Sequence, residues 1–284
     1  MEVAAVLTIF GVGLAVGLVS GLVGIGGGVL IVPFLYFFYD RPELFGVVVA
    51  PELTVVMAHA TSLFVIVPTS VRGAFAFHKA RLVEWRAVWP IGLASILAAA
   101  VGVRLAVALP PELLKLAFGV LLILSGLRLV RRRRGRAGGA PRRTLRLSLP
   151  VTLLVGSAMG LFSALMGVGG GIIGIPLLIS VVGLEIRRVA ATSIGIITIT
   201  ATAGALAYMA AGSGVPGAPP WSIGYVHVAA GVVMFAGSVL SVRWGALLNQ
   251  RLQPRALAVL FAAFFLILGI ELVATNASAL LAGR

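Results

Sequence analysis

Hydrophobic residues run through this chain in long blocks, and the lengths of the blocks carry the pattern. Eight of them lie at 3–22, 47–70, 87–109, 112–130, 147–166, 189–211, 223–247 and 256–275. Each is close to the roughly 20 residues a helix needs to cross a hydrocarbon core of about 30 Å. Two shorter apolar runs, 29–39 and 172–184, follow the first and fifth blocks across clusters of glycine. The pattern predicts an all-α polytopic membrane protein. The first block is not read as a cleavable signal, because no basic region precedes it and its apolar character continues past Gly28 without a cleavage site.

The blocks repeat. Residues 17–35 read GLVSGLVGIGGGVLIVPFL and residues 160–178 read GLFSALMGVGGGIIGIPLL. At this spacing Gly17, Gly24, Gly26, Gly27 and Gly28 answer Gly160, Gly167, Gly169, Gly170 and Gly171. Ser20 likewise answers Ser163, and Pro33 answers Pro176. Further on, Ala60-Thr61-Ser62 answers Ala191-Thr192-Ser193, and FGVLLILSG (118–126) answers FAAFFLILG (261–269). The chain is a duplication: a first membrane repeat over 1–130, a basic linker over 131–146 and a second membrane repeat over 147–284.

Composition narrows the class. Of 284 residues 60% are hydrophobic and 11% charged, mean hydropathy is +1.14, and there is no cysteine. A soluble domain carries about 25% charged residues, so a soluble enzyme, a disordered chain and a disulfide scaffold are all excluded. The net charge of +14 would suggest nucleic acid in a soluble protein. Here nine cations fall between Arg128 and Arg146, so the excess reads as the positive-inside rule instead.

The charges also bear on the relation between the halves. If each glycine-broken segment turns back as a hairpin, each repeat has a hairpin plus about four spanning helices and the repeats are inverted. Arg72, Lys79, Arg81, Arg86, the central stretch, Arg187, Arg188, Arg243, Arg251 and Arg255 then share one face, eighteen of the 22 cations. Arg41, Arg104, Lys115 and Arg284 take the other. Single crossings would give parallel halves and a weaker bias. The inverted arrangement is therefore expected, with the central loop cytoplasmic and both termini and the 212–220 loop outside. Trp85, Trp89, Trp221 and Trp244 fall at expected span ends, where amphipathic rings sit at headgroup level.

Glycine costs about 1 kcal/mol against alanine inside a helix, so Gly24, Gly26, Gly27 and Gly28, with Gly167, Gly169, Gly170 and Gly171, are expected to break it. Irregular backbone at membrane depth persists only where it is buried in protein or lines a wet cavity. The half-helix after each break offers unpaired N–H groups and a positive dipole end, which together form an anion site without a fixed charge. The bland alternative is helix packing, which is the favoured reading for the small-residue spacing of Gly13, Gly17 and Gly21. Thr61, Ser62, Thr192 and Ser193 could bond an anion or their own helix backbone. Back-bonding is favoured for Ser20 and Ser163, and Pro33 and Pro176 are read as kinks.

Glu52 and His59, seven residues apart on one helix face, are candidates for carrying a coupling proton, although Glu52 follows Pro51 near a span end where water reaches it. His227, Glu271 and Arg104 are expected to snorkel at span ends. The sequence contains no HExxH, no GxSxG and no carboxylate pair at helical spacing within a span, so no enzyme, metal site or cofactor is expected.

The doubled GLxSxLxGxGGGxxxxPxL element, the paired Ala-Thr-Ser segments and the basic midpoint resemble the TauE/SafE family of sulfite and organosulfonate permeases. The resemblance covers nearly the whole chain. It implies an inner-membrane transporter of sulfur-containing anions and carries the binding role to Gly26–Gly28 and Gly169–Gly171. The expected partners are a small anion and the lipid bilayer, without nucleic acid, and a homodimer stays open. The reading at this point is a secondary transporter of a sulfur oxyanion or organosulfonate, working by alternating access. An anion channel and a non-transporting membrane scaffold are the alternatives.

Overall fold

The computed structural model describes residues 3–23, 26–132, 145–251 and 254–282. Most of the basic linker, Arg284 and the predicted site residue Gly24 lie outside them. In chain order the elements are α1 (Val3–Val23), α2 (Gly28–Tyr39), α3 (Pro42–Phe45), α4 (Pro51–Lys79), α5 (Trp85–Ala108), α6 (Pro111–Arg132), α7 (Leu149–Met166), α8 (Gly171–Ser180) and α9 (Ile186–Ala211). They are followed by β1 (Ser222–Ile223), β2 (Val226–His227), α10 (Val228–Arg251) and α11 (Pro254–Ala282). The two strands form one antiparallel hairpin. Among the described residues six helices are long and apolar enough to cross a membrane: α1, α4, α5, α7, α9 and α10. The chain is an all-α multi-pass membrane protein.

Prolines and glycines set the helix ends. Pro51 opens α4, where a missing N–H costs nothing. Pro33 and Pro176 stay inside α2 and α8. Large apolar side chains face outward, among them Leu97, Leu149 and Leu7, as do Trp89, Trp221 and Trp244. A surface of this kind is stable against lipid.

The chain forms two compact units. The larger comprises residues 1–108 and 143–250 and so combines elements of both sequence repeats. The smaller pairs the last helix of each, α6 and α11, within which Gly119 lies against Gly269 and Gly126 against Leu266, so the two helices run antiparallel.

Within the larger unit the glycines show how the helices run. Gly13, Gly17 and Gly21 of α1 meet Met234, Ser238 and Val242 of α10 in the same order, so these helices are parallel neighbours. Gly156 and Gly160 of α7 meet Ala94 and Ser95 of α5, again in parallel. On α4 and α9 the order reverses, with Gly73 facing Ile194 and Leu63 facing Gly204, so this pair is antiparallel. The packing expected for Gly13, Gly17 and Gly21 is thus present. A Cβ on Gly17 would fall on the Ser238 carbonyl and the Ser241 hydroxyl. Gly17→Val is therefore expected to part α1 from α10 and cost several kcal/mol, as overpacked contacts do, read as a fall in the thermal midpoint of the detergent-solubilised protein.

Both glycine-broken segments turn back. α7 rises about 27 Å and α8 about 15 Å at 1.5 Å per residue. After α8, the Val182 carbonyl accepts a hydrogen bond of 2.9 Å from the Arg146 N–H, ahead of α7. The segment therefore returns to the level at which it entered. In the first half a Cβ on Gly27 would meet Val16 of α1, and α3 rests on α1 beyond α2. The apolar core around α8 joins Val155 and Met159 of α7 to Leu178, Val182 and Leu184, with Ile194 and Ile196 of α9 beside them.

Candidate functional site

The two glycine turns meet within the larger unit. Gly26, Gly27, Gly169 and Gly170 all hold positive φ, between 75° and 92°, a conformation nearly closed to residues with a Cβ. Gly27 and Gly170 are the N-caps of α2 and α8, and neither cap is closed by a side chain. The turns approach so closely that a Cβ on Gly28 would lie 2.5 Å from the Val168 Cα and 2.6 Å from the Gly167 carbonyl oxygen. One on Gly167 would lie 2.6 Å from the Cα of His59 on α4.

The walls are Ile66 and Ile197, the same position in each repeat. Ile197 touches Gly26 and Gly169, and Ile66 touches Gly28 and Gly169. Ser62 and Ser193 precede them by four residues, one turn back on the same helix face. The Ser62 hydroxyl donates to the Gly167 carbonyl at 2.6 Å. The hydroxyls of Ser193, Ser20 and Ser163 are fully buried and have no hydrogen-bond partner among the described residues. Ser20 lies beside the first turn, its Cβ 3.4 Å from where a Gly27 Cβ would be. The back-bonding expected of Ser20 and Ser163 is absent.

Several features converge at this junction. Two helices of twelve and ten residues start there, and the first N–H groups of a helix have no partner within it. Their dipoles point positive ends at the same place. Buried hydroxyls stand by without partners, although leaving one unsatisfied costs about 1–3 kcal/mol. The predicted residues Gly26, Gly27, Gly28, Ser62, Gly167, Gly169, Gly170 and Gly171 are all assembled here, with Ser193 one turn from the wall.

Thr61 and Thr192 turn elsewhere. The Thr61 hydroxyl accepts the N–H of His227 at 3.0 Å, and Thr192 accepts that of Glu84 at 3.1 Å. These donors immediately precede α10 and α5, so each threonine fastens the entry of the next helix. Glu84 also receives the Arg188 guanidinium at 2.7 Å. Thr192→Ala is expected to cost about 1 kcal/mol through the orphaned N–H, measured by thermal unfolding, with anion affinity unchanged within about twofold.

Glu52 is exposed in the first turn of α4, whereas His59 is buried two turns later, so the fold does not bring them together. His59 instead meets Tyr36, with Nε2 2.5 Å from the phenol oxygen. Tyr39, one turn on from Tyr36, bonds Thr61 at 3.3 Å and His227 Nδ1 at 3.5 Å. His227 is 2% exposed and does not snorkel. It is the last residue of β2 in the β-hairpin, and burial pushes its imidazole down to about 4. Arg104 and Glu271 are exposed. Sequence reasoning missed Tyr36, Tyr39 and His227. The i,i+3 spacing of the two tyrosines in an otherwise apolar run was the available signal, and it reads as ordinary packing. Among the described residues no cluster of His, Asp or Glu could hold a metal.

Comparison with known proteins gives a consistent picture. A family model described as Sulfite exporter TauE/SafE matches residues 9–272. A probable membrane transporter protein of Methanocaldococcus jannaschii is 30% identical over 260 residues, covering 91% of this chain and 92% of its own. Others are 27% identical in Haemophilus influenzae (92% and 95% covered) and 23% in Bacillus subtilis (92% and 94%). No solved structure matches.

Proposed function

We propose, from the premise that this chain belongs to the sulfite exporter TauE/SafE family of membrane transporters, that it is a secondary transporter of a small sulfur oxyanion or organosulfonate. The single observation that carries the reading is the junction, where two half-helix N-termini and buried, unpartnered serine hydroxyls converge without a fixed charge. Backbone N–H groups and hydroxyls can both donate to sulfonate oxygens, and the missing Cβ atoms let those oxygens approach.

The mechanism is alternating access between two inverted repeats, coupled to protons. Support for inversion comes from helix direction. α4 and α9 are equivalent elements of the two repeats and run antiparallel, as do α6 and α11, whereas parallel repeats would align each pair. Transporters built from inverted repeats place substrate between broken helices near the midplane, and we assign that position to the glycine turns. The positive-inside rule then puts the Arg-rich linker in the cytoplasm and the chain in the inner membrane.

The orientation has a direct test. Single cysteines replacing Arg187 and Gly214 in this cysteine-free chain are expected to react with membrane-impermeant reagents from the inside and the outside respectively. The opposite pattern contradicts the topology.

The function is tested in proteoliposomes loaded with sulfite, thiosulfate or sulfoacetate. Uptake of the labelled anion against its gradient, driven by a pH gradient, is expected for at least one of them. Only downhill flow would identify an anion channel, and no binding or flux of any would leave a scaffold.

A further inference from the structure

The duplication allows a comparison inside one molecule. Tyr36, Tyr39 and His59 correspond in the second repeat to Ile179, Val182 and Ala190. His227 corresponds to Glu84, since each gives its N–H to the equivalent threonine. At three of these positions a scaffold that works with apolar residues in the second repeat therefore carries two phenols and an imidazole in the first, and His227 of the second repeat joins them. All four are buried. Burying polar groups costs free energy that the apolar version avoids, and the apolar version is present in the same fold. Packing alone does not account for the difference, and an ionisable group inside a span points to function.

The position of the cluster indicates which function. His59 underlies the second glycine turn, its Cα against Gly167, and Ser62 on the next turn of α4 holds the Gly167 carbonyl. Tyr36 sits on α2, the helix whose first residues border the junction. Groups bonded to His59 are thus mechanically tied to both turns.

Resting on the anion-transporter reading, we propose that the Tyr36–His59 pair is the proton site of this transporter. In this account Tyr39, Thr61 and His227 link the pair to the outer β-hairpin, and Glu52 takes no part. A proton from water adds to the lone pair of a His59 ring nitrogen. The Tyr36 oxygen accepts from the N–H facing it. After the conformational change the proton leaves to water on the other face, and nothing is oxidised or reduced. Desolvation disfavours an isolated imidazolium and an isolated anion alike, and their mutual attraction at low dielectric offsets part of that cost when both are bound. Proton and anion binding are therefore linked, each raising affinity for the other.

The titratable groups facing the pair are Tyr208 of α9 and Asp40 at the end of α2, both within electrostatic range of Tyr36; Tyr39, one turn on from Tyr36, and His227 bond each other and Thr61. The glycine turns contribute none.

The test uses the full chain in proteoliposomes with an internal pH dye and labelled sulfite, thiosulfate and sulfoacetate. In wild type, anion entry is expected to carry protons. His59→Gln is expected to retain anion exchange at a rate that no longer depends on pH, while pH-driven accumulation falls about tenfold or more. Tyr36→Phe keeps the ring and the histidine, and its exchange profile is expected to shift by roughly half to one pH unit, the scale of one hydrogen bond. Accumulation by His59→Gln equal to wild type, or an unshifted Tyr36→Phe profile, overturns the proton site and leaves the anion site standing. Loss of exchange as well as coupling in both variants, with monodisperse elution retained, marks the pair as structural and overturns it too. Absence of exchange of all three anions by wild type overturns the anion reading itself, and this inference with it.

Discussion

Gly28→Ala is expected to abolish anion transport and to weaken anion binding by about a hundredfold or more, a loss of roughly 3 kcal/mol. Gly28 does not need a left-handed backbone, so the effect comes from space alone. An added methyl would lie 2.5 Å from the Val168 Cα and 2.6 Å from the Gly167 oxygen. Both obstacles are backbone, so neither can rotate aside. The two turns must separate, taking the N–H groups of α2 and α8 out of register with one another. Gly46→Ala is the matched control. Gly46 holds φ of 65° in open space with nothing within 4 Å of an added Cβ. It is expected to lose about 1 kcal/mol of stability through backbone strain and to bind anions within about twofold of wild type. Titration of both variants by thermal shift separates the outcomes. Equal anion affinity in Gly28→Ala and wild type contradicts a site at the junction.

Ser20→Ala with Ser163→Ala is expected to move stability and affinity in opposite directions. Each hydroxyl is buried without a partner among the described residues, so removing it relieves a desolvation penalty of about 1 kcal/mol. A raised thermal midpoint is expected without ligand. If the hydroxyls donate to a bound anion, each loss costs about tenfold in affinity, since a hydrogen bond to a charged group contributes about 1.5–3 kcal/mol. The stabilisation conferred by added anion should shrink accordingly. Packing or capping residues would not behave this way, because their loss lowers the midpoint with or without ligand. A lowered midpoint together with undiminished anion stabilisation contradicts the assignment.

How much of this was legible in the sequence depended on the range of the interaction. Six of the eight expected spans, α1, α4, α5, α7, α9 and α10, could be read from length and apolarity because lipid imposes both locally. The breaks at 24–28 and 167–171 could be read because three consecutive glycines oppose any helix. Their return as hairpins followed from the distribution of arginines, and the bond from the Arg146 N–H to the Val182 carbonyl agrees. The partners of individual hydroxyls were not legible. Thr61 and Ser62 are adjacent on α4, yet successive residues point about 100° apart on a helix. Thr61 therefore fastens His227 while Ser62 reaches Gly167. Nor could spacing show that His59 pairs with Tyr36 rather than lying near Glu52. That depends on where the first hairpin returns, and Tyr36 and Tyr39 sit in a run of aromatics that reads as core. His227 looked like a span-end residue because the strand pair it belongs to has only four residues, too few to read from the sequence.

The central claim is that a sulfur oxyanion binds where the two glycine turns meet. Its most direct measurement is anomalous diffraction at the selenium edge from crystals soaked in selenate, which carries the same tetrahedral oxygens as sulfate. One strong peak is expected between Gly26–Gly28 and Gly167–Gly171, within hydrogen-bond reach of the Ser20, Ser163 or Ser193 hydroxyls. That peak should be lost in Gly28→Ala. A peak confined to the arginine-rich surface, or one at the junction that survives Gly28→Ala unchanged, would contradict the claim.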